Sequence, residues 1–367
     1  MLPLSIILPI SGETDNSASL LSQLEQALID VGLSAEIILV TEHVSAELSQ
    51  ACQQLNQTIP VQLISPPRPE SSTAVIMEGM QAGSGQNILV LDTAYCQSPE
   101  IIKSLYSPLQ DQQTDFVLAT FPGNTHSMFA GWLTRPLTKT KALQTGCFAI
   151  SRNRFEQCRE ILNPASPQPV LEFLVKSRSQ AVVEVPLPAG DLQSHQRGVS
   201  FSERVRWGVQ LKELYEFKFK NYAYFLQFAI VGSSGVIVNL LALSLLLNWM
   251  IRPVAVAMAI WIAMTSNFLL NRHVTFSYAR HAPILKQYLA YCGSCLTGNF
   301  FNWLTTLVLC GSISYFAERT LIAALIGILV GMGFNFLLCR LLVFGKHKAD
   351  ATVPKTNPAG KSQSSPG

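Results

Sequence analysis

Four uncharged stretches toward the C-terminal end constrain the fold of this chain most strongly. They are residues 224–251, 253–271, 287–317 and 320–339. A helix needs about 20 apolar residues to cross the roughly 30 Å of hydrocarbon in a bilayer. Each stretch is long enough, the second only with little tilt. The sequence therefore predicts an all-α domain of four membrane-spanning helices within residues 223–345.

One phrase occurs twice in this region, at the ends of the second and fourth stretches. Asn-Phe-Leu-Leu-x-Arg occupies 267–272 and again 335–340. The repeat predicts two helical hairpins, the second a copy of the first. Lipid cannot solvate an amide, so the asparagines are expected to face other helices or a polar ligand. Plain helix packing with an arginine at the interface is the alternative to a shared site. The candidate site residues of this domain are Asn267, Arg272, Asn335 and Arg340.

The net charge of +3 hides an asymmetry along the chain. Residues 1–220 carry 16 Lys and Arg against 21 Asp and Glu, whereas residues 221–367 carry 10 against 2. The first part therefore has no basic surplus that would favour nucleic-acid binding. In the second part, basic residues gather after the second and fourth stretches. The positive-inside rule then predicts a multi-pass protein of the inner (plasma) membrane, with its N-terminal domain and C-terminal tail in the cytoplasm.

Composition also sets expectations for the segments around the spans. Residues 201–222 combine apolar and basic side chains as an amphipathic helix does, and such a helix either lies on an anionic membrane surface or couples two domains. Residues 346–367 are rich in Pro, Ser, Lys and Ala and predict a disordered tail. Small residues let membrane helices approach closely, which makes a homo-oligomer possible. The glycines concerned are Gly232, Gly235, Gly327 and Gly331.

Short apolar runs alternate with helical patterns over residues 1–200. The runs at 4–9, 36–40, 61–64, 87–92 and 115–119 predict buried strands. Such alternation is typical of an α/β fold, a mostly parallel sheet with helices on both faces. Ligands of these sheets bind at the carboxyl ends of the strands. The acidic residues expected around that crevice are Glu13, Glu42 and Asp92.

The order of these elements resembles family 2 glycosyltransferases of the dolichol- or polyprenyl-phosphate sugar synthase type. Residues 1–200 resemble their nucleotide-diphospho-sugar transferase-like catalytic domain, with the helix at 201–222 following it. Residues 223–345 resemble the GtrA-like membrane domain often fused to it, in both the repeated phrase and the four-span layout. The resemblance implies transfer of a sugar from a nucleotide sugar to a polyprenyl phosphate lipid, with Mg²⁺ or Mn²⁺ as cofactor.

The first two strands keep the donor-side pattern of that family in part. Its first strand usually ends Pro-x-x-Asn-Glu, and here Pro9 and Glu13 remain while Gly12 replaces the asparagine. Its second strand usually ends in two aspartates, where this chain has Thr41 and Glu42. The resemblance implies that Pro9, Glu13 and Glu42 line the nucleotide-sugar pocket.

The fourth strand should end Asp-x-Asp, followed shortly by Pro-Glu. Here Asp92 and the later Pro-Glu remain, but Ala94 replaces the second aspartate. The resemblance implies that Asp92 is the catalytic residue, a nucleotide-sugar contact and the metal ligand. A divalent cation bridging carboxylate and diphosphate is held more weakly by one aspartate than by two. The alternative for Asp92 is a turn residue or helix cap at the end of the strand.

The acceptor side departs from the family as well. The motif is normally Arg-x-x-Gly-x-Ser-Lys, and residues 195–201 read His-Gln-Arg-Gly-Val-Ser-Phe. Arg197 supplies a nearby charge and Ser200 is kept, so the resemblance places these two near the acceptor phosphate. A neutral histidine and a phenyl ring grip a phosphate less well than two fixed cations.

Five motif positions differ together, on both the donor side and the acceptor side. Three functions are therefore considered. The first is a working transferase. The second is a catalytically inactive protein that scaffolds or regulates lipid-linked sugar metabolism. The third is movement of polyprenyl-phosphate sugars between leaflets by the GtrA-like domain. The differing positions are Gly12, Thr41, Ala94 and Phe201, together with Ala142, which lies where the resemblance implies an aspartate a few residues before the Thr-Gly segment at 145–146.

Overall fold

The computed structural model divides the chain into two compact units, Met1–Phe219 and Lys220–Gly367. It describes residues 2–10, 17–66, 71–93, 98–111, 113–120, 128–138, 140, 146–179, 181–186 and 200–345. Several predictions fall outside these ranges, and the structure does not bear on them. They concern Gly12, Glu13, Ala94, Ala142, Arg197 and the tail 346–367.

The first unit alternates strands and helices, as the apolar runs predict. Local sequence marks the helix starts: Ser45 and Ser71 cap α2 and α3 by accepting backbone N–H groups, and Pro99 and Pro169 begin α4 and α7. The described elements are β1 Leu4–Ile10, α1 Ser17–Val31, β2 Ala35–Thr41, α2 Ala46–Leu55, β3 Val61–Ile64, α3 Ser72–Ala82, β4 Asn87–Val90, α4 Pro99–Tyr106, β5 Phe116–Thr120, α5 Met128–Thr138, β6 Phe148–Ser151, α6 Arg152–Cys158, α7 Pro169–Lys176, β7 Val182–Pro186 and α8 Phe201–Phe219.

Seven described strands form one sheet in the order β3-β2-β1-β4-β6-β5-β7. β1 pairs in parallel with β2 and β4, and β5 pairs in parallel with β7. β6 runs antiparallel to both of its neighbours, β4 and β5. The predicted α/β fold with a mostly parallel sheet is therefore confirmed, and β6 is an inserted antiparallel strand that the apolar runs did not reveal.

Each face of the sheet is covered by its own set of helices. Alternate residues of β1 divide between the faces: Leu4, Ile6, Leu8 and Ile10 pack with α1, α2 and α4. Ile7 points to the other face, where α3, α6, α7 and α8 cover the sheet. Near-continuous apolar strands such as β1 and β2 are what two covered faces require. The core thus holds the strand ends in fixed positions.

Two glycines allow α3 and the turn after it to lie directly against the sheet. A Cβ atom on Gly79 would stand 2.5 Å from Ile7 Cγ2, and one on Gly85 would stand 2.5 Å from the Ser5 nitrogen. Both distances are too short for a real side chain. Close packing against the sheet therefore requires a glycine at both positions.

The second unit is helical. Its helices are α9 Asn221–Leu246, α10 Arg252–Leu270, α11 Ile284–Ser312, α12 Ser314–Glu318 and α13 Thr320–Leu338. Short π-helical turns, Asn271–Thr275 and Cys339–Val343, continue α10 and α13. In each turn the amide of a phenylalanine, Phe276 or Phe344, donates 2.7 Å to the carbonyl five residues earlier.

Three segments of the described chain are long and apolar enough to cross a membrane: Asn221–Leu246, Arg252–Thr275 and Thr320–Val343. The chain is accordingly a multi-pass membrane protein. The prediction of four spans is not confirmed, because α11 does not reach the same hydropathy. α11 is 29 residues long, but it carries Asn299, Asn302 and several threonines. These polar residues fall where the third span was predicted.

The repeat in sequence is also a repeat in packing. α10 buries Ala255, Ala259, Ala263 and Phe268, and α13 buries Ala323, Gly327, Gly331 and Phe336, at equal spacings along the chain. The buried Phe228, Val231 and Gly235 of α9 have their counterparts in Tyr291, Ser294 and Gly298 of α11. The unit therefore consists of two hairpins, α9 with α10 and α11 with α13, that use the same positions for contact.

Candidate functional site

The carboxyl ends of the central strands meet at one edge of the sheet. β1 lies between β2 and β4, where the chain turns from one side of the sheet to the other. Ile10 is paired with Thr41, and the Leu91 amide donates 3.0 Å to the Ile7 carbonyl. Because β6 is antiparallel, its first residues come to this same edge. Ligands of open α/β sheets bind at such a position.

Asp92 occupies the centre of this edge, directly after β4. Its backbone amide lies 3.3 Å from Cys147 Sγ, and the Thr93 hydroxyl lies 3.4 Å from its Oδ1 atom. A Cβ atom on Gly146 would stand 2.8 Å from Asp92 Oδ2. Gly146, two residues before β6, therefore lies close to the carboxylate, and a side chain at 146 would crowd it.

Cys147 is fully buried beside Asp92. Burial, together with the charge of Asp92, raises the pKa of the Cys147 thiol to about 12, although the hydrogen bond from the Asp92 amide acts in the opposite direction. The thiol therefore stays protonated near neutral pH, where it serves as a neutral neighbour of the carboxylate and not as a nucleophile.

The other residues predicted to contact the nucleotide sugar take different positions on the same edge. Pro9 is half-buried and paired with Val40, while Glu42 is exposed just beyond β2. Thr41, which stands where the family has an aspartate, is buried. Its hydroxyl accepts from the His43 amide at 3.3 Å and donates to the His43 carbonyl at 3.1 Å. Thr41 thus shapes the turn after β2.

The donor set for a cation rests on Asp92. Within the described ranges, no group of three or more His, Cys, Asp or Glu side chains could hold a metal ion. Mg²⁺ in proteins usually takes one or two carboxylates, keeps several waters and shares phosphate oxygens of the substrate. A single carboxylate with the neighbouring Thr93 hydroxyl fits that kind of site, and it does not fit an all-protein metal cage.

On the acceptor side the structure describes Ser200 but not Arg197. Ser200 is exposed and precedes α8, where its amide donates 2.9 Å to Glu203 Oε2. This is half of a capping box. α8 itself is fixed to the first unit, since Leu211 and Leu214 are buried in its core. The sequence predicts neither the capping hydrogen bond of Ser200 nor the packing of α8 into the core of the first unit.

The two repeated asparagines line one cavity of about 450 Å³ within the membrane unit. Asn267 and Asn335 both contribute to its wall, together with Asn239, Asn271, Asn299 and Asn302. The sequence repeat pointed to the first two only. The other four could have been found as further amides in uncharged spans, two of which, Asn239 and Asn302, are counterparts in α9 and α11.

The two repeated arginines are not part of the cavity wall. Each of them contacts a residue of the other hairpin. Arg272 is buried and donates to Gln287 Oε1 and to the Arg280 carbonyl, and also to the Ala282 carbonyl at 2.8 Å. The guanidinium of Arg340 lies 4.6 Å from the centre of the Tyr224 ring. Gln287 and Tyr224 are counterparts at the starts of α11 and α9. Each arginine thus joins its own hairpin to the other.

Comparison with known proteins gives matches over both units. The sequence model of the GtrA/DPMS transmembrane domain matches residues 227–344. A dolichol-phosphate mannosyltransferase of Pyrococcus furiosus is 25% identical over 363 residues, covering 92% of this chain and 97% of the relative. A dolichol-phosphate mannosyltransferase of Mycosarcoma maydis is 28% identical over 237 residues, covering 59% of this chain and 80% of the relative.

Among solved structures, glucosyl-3-phosphoglycerate synthase of Mycobacterium tuberculosis matches the chain with a TM-score of 0.43 and 16% identity, covering 59% of this chain and 80% of that protein. The same enzyme in complex with Mn²⁺, UDP-glucose and phosphoglyceric acid gives a TM-score of 0.44 and 16% identity, covering 59% and 79%. The chain thus joins an N-terminal unit that is similar to dolichol-phosphate mannosyltransferases to a membrane unit that matches the GtrA/DPMS transmembrane domain.

Proposed function

We propose that this protein transfers a sugar from a nucleotide sugar to the phosphate of a polyprenyl-type lipid at the membrane. The observation that carries the proposal is the similarity to a dolichol-phosphate mannosyltransferase across both units, with Asp92 kept at the carboxyl edge of the sheet. The lipid acceptor resides in the membrane, and the multi-pass second unit keeps the protein at that membrane.

The reaction needs little covalent chemistry from the protein. An oxygen of the ionised lipid phosphate attacks the anomeric carbon, a new carbon–oxygen bond forms, and the bond from that carbon to the diphosphate breaks. The electron pair leaves with the nucleoside diphosphate. Since the attacking phosphate is already charged, no general base is required. The work of the protein is to position both substrates and to stabilise the leaving diphosphate.

Asp92 is the residue to which we assign the central role. It would hold a divalent cation, Mg²⁺ or Mn²⁺, which when bound neutralises charge on the diphosphate. The backbone amide of Asp92 donates to the neutral Cys147 thiol, and Gly146 leaves room beside the carboxylate. We further assign Pro9, Glu13 and Glu42 to the wall of the nucleotide-sugar pocket.

Arg197 and Ser200 are proposed to lie near the acceptor phosphate. We also propose that the N-terminal unit faces the cytoplasm of the cell whose inner membrane holds the protein. The charge distribution supports this orientation: Arg272, Arg280 and Lys286 follow the second predicted span without an acidic residue among them. Nucleotide sugars are soluble, so the donor would reach the carboxyl edge of the sheet from that side.

The test uses the full chain in nanodiscs, with radiolabelled GDP-mannose or UDP-glucose as donor and a short polyprenyl phosphate as acceptor. We expect label in the organic extract with Mn²⁺ or Mg²⁺ and little with EDTA. Asp92→Asn should lower the rate by about a hundredfold or more, the usual effect of removing one stabilising group. Asp111→Asn, which changes an exposed carboxylate beyond α4, is the matched control and should leave the rate unchanged.

Absence of product with either donor, together with no binding of either at millimolar concentration, would contradict the proposal and favour an inactive scaffold. Equal rates for Asp92→Asn and wild type would contradict the role of Asp92 alone.

A further inference from the structure

The side chain of Thr93 lies beside the carboxylate of Asp92 at the carboxyl edge of the sheet. Its hydroxyl is 3.4 Å from Asp92 Oδ1. An ordinary hydrogen bond between two oxygens is about 2.7–2.8 Å long, so this contact is a weak one. Thr93 is half-buried, and its hydroxyl keeps lone pairs that can serve another partner. The residue is therefore able to contact a ligand bound at Asp92.

Thr41, the last residue of β2, is engaged differently. Its hydroxyl donates to the His43 carbonyl at 3.1 Å and accepts from the His43 amide at 3.3 Å. The side chain is also buried. The Thr41 hydroxyl thus serves the turn after β2, whereas the Thr93 hydroxyl is not used in this way.

The two oxygens of the Asp92 carboxylate have different neighbours. A Cβ atom on Gly146 would stand 2.8 Å from Oδ2, whereas Oδ1 is the oxygen beside the Thr93 hydroxyl. Neighbouring oxygens of an octahedral Mg²⁺ site lie about 3 Å apart, because each is about 2.1 Å from the ion and at a right angle to the next. The 3.4 Å between Asp92 Oδ1 and Thr93 Oγ1 is close to that spacing. A small movement would make the two oxygens neighbouring ligands of one ion.

The charge of this oxygen pair determines when such an ion is held firmly. One carboxylate and one neutral hydroxyl balance only half of the charge of a divalent cation. Within the described part of the chain, no group of three or more His, Cys, Asp or Glu side chains could supply the rest. Mg²⁺ loses its waters reluctantly and is usually shared between one or two carboxylates and the phosphates of a substrate. The remaining charge must therefore come from the diphosphate.

We propose that Thr93 is a cation-binding residue, whose hydroxyl, together with Asp92 Oδ1, holds a divalent cation that arrives with the nucleoside diphosphate. The inference rests on the proposed function, because the diphosphate is that of the sugar donor. Thr93 then supplies an oxygen where Ala94 supplies none. Ser and Thr hydroxyls hold Mg²⁺ beside phosphates in other nucleotide-binding proteins.

The test measures binding of GDP and UDP, the leaving groups of the proposed reaction, to the full chain in nanodiscs by calorimetry. Each titration is made with saturating Mn²⁺ and again with EDTA. The ratio of the two affinities is the strengthening by the cation. We expect Mn²⁺ to strengthen binding of at least one nucleotide to the wild type. Electron paramagnetic resonance should show only weak binding of Mn²⁺ without nucleotide.

Variants of Thr93 connect the strengthening to its hydroxyl. Thr93→Val should lower the ratio about tenfold or more, as changes around a bound metal typically do, and should leave the affinity in EDTA unchanged. Thr93→Ser keeps a hydroxyl and should keep the wild-type ratio. Thr114→Val, in the turn before β5 at the opposite edge of the sheet, is the control. Thr93→Ala repeats the measurement if valine lowers the melting temperature.

Thr93→Cys tests whether the side chain touches the cation directly. A thiolate prefers soft cations, whereas a hydroxyl suits hard ones. We expect Cd²⁺ to strengthen nucleotide binding more in Thr93→Cys than in the wild type, and Mn²⁺ to strengthen it less. A residue that acted through packing alone would not change the preferred cation.

Equal strengthening by Mn²⁺ in the wild type and Thr93→Val would overturn the inference and leave the proposed transfer untouched. So would an equal loss of affinity with Mn²⁺ and with EDTA, because the hydroxyl would then contact the nucleotide itself. Tight binding of Mn²⁺ without nucleotide would overturn the joint arrival. Failure of the wild type to bind either nucleotide would instead contradict the proposed function, and the inference with it.

Discussion

The carboxylate of Asp92 lies so close to Gly146 that a Cβ atom at 146 would stand 2.8 Å from Oδ2 and 3.1 Å from the Asp92 Cβ. The contact joins the end of β4 to the start of the antiparallel strand β6. The missing side chain at 146 therefore leaves the space that the candidate catalytic carboxylate occupies.

Replacing that glycine should displace the carboxylate. We expect Gly146→Ala to reduce sugar transfer, by up to about a hundredfold if the carboxylate moves by 1 Å. Steady-state rates with labelled donor measure the effect, and the apparent affinity for Mn²⁺ should fall in parallel. Gly131→Ala, at a position with open space around it, is the control and should retain the wild-type rate. A fully active Gly146→Ala enzyme would show that Asp92 is not positioned in this way.

A buried ion pair holds α7 in place. Lys176 Nζ lies 2.5 Å from Glu172 Oε1, with both side chains nearly inaccessible, and Ser166 Oγ donates 2.8 Å to Glu172 Oε2. Removing one partner leaves a buried charge unpaired, so Glu172→Gln should lower the free energy of unfolding of the first unit by about 3–5 kcal/mol. Chemical denaturation followed by tryptophan fluorescence measures this.

The control for the buried pair is the exposed pair of Arg159 and Glu156, in which Arg159 Nη1 lies 3.6 Å from Glu156 Oε2. Glu156→Gln should change the stability by less than about 1 kcal/mol. Comparable losses in the two variants would mean that burial does not strengthen the Glu172 pair.

Glu36 should give the first unit an acid-sensitive component of stability. Burial acts to raise the pKa of its carboxyl, but hydrogen bonds from Ser5, Ser84 and Gly85 outweigh burial and lower the pKa below its ordinary value of 4.5. A carboxyl whose pKa is lower in the folded state than in the unfolded state stabilises the fold at pH values above its unfolded pKa. This stabilisation is lost as the pH falls through the folded pKa. The difference in stability between wild type and Glu36→Gln should be constant from pH 6 to pH 8 and shrink as the pH falls below about 4.5.

Unfolding curves at a series of pH values measure this difference. Glu47→Gln, an exposed residue in the first turn of α2, is the control. A difference between wild type and Glu36→Gln that grows on acidification would contradict the assignment.

The stability of the second hairpin of the membrane unit should depend on the hydroxyl of Ser294. The first hairpin has no such hydroxyl, because the counterpart of Ser294 is Val231. Ser294→Val removes the hydroxyl that donates to Asn335 Oδ1. We expect a loss of about 0.6–1.7 kcal/mol, the range for hydrogen bonds between membrane helices. Unfolding in mixed detergent measures it. Thr297→Val, whose hydroxyl bonds only within α11 to the Gly293 carbonyl, should have a smaller effect. Equal losses in the two variants would mean that the Ser294–Asn335 hydrogen bond stabilises the unit no more than the Thr297 bond within α11.

The sequence predicts the alternating elements of the first unit because their strands are buried on both sides and read as continuous apolar runs. β6 escapes this reasoning, since Phe148–Ser151 is only four residues long and nothing local tells an antiparallel strand from a parallel one. Its direction is decided by long-range pairing with β4 and β5. The contact of Gly146 with Asp92 depends on that pairing and could not be predicted either.

In the membrane unit the sequence repeat predicts the two hairpins and brings Asn267 and Asn335 to one cavity. It does not predict that their hydrogen bonding differs, because that depends on Val231 and Ser294 in other helices. It also suggests equivalent surroundings for Arg272 and Arg340, whereas one is surrounded by carbonyl acceptors and the other stacks on a ring. The small residues noted for oligomer formation are partly used within the chain: Gly235, Gly327 and Gly331 all face neighbouring helices.

The contacts that Arg272 and Arg340 make with the opposite hairpins have a consequence for biosynthesis. Arg272 leaves the ribosome only 15 residues before its acceptor Gln287, so both partners of that contact are made almost together. Tyr224, at the start of α9, is made long before Arg340, its partner at the end of the domain. The contact between Tyr224 and Arg340 can therefore form only after the whole membrane domain has been made.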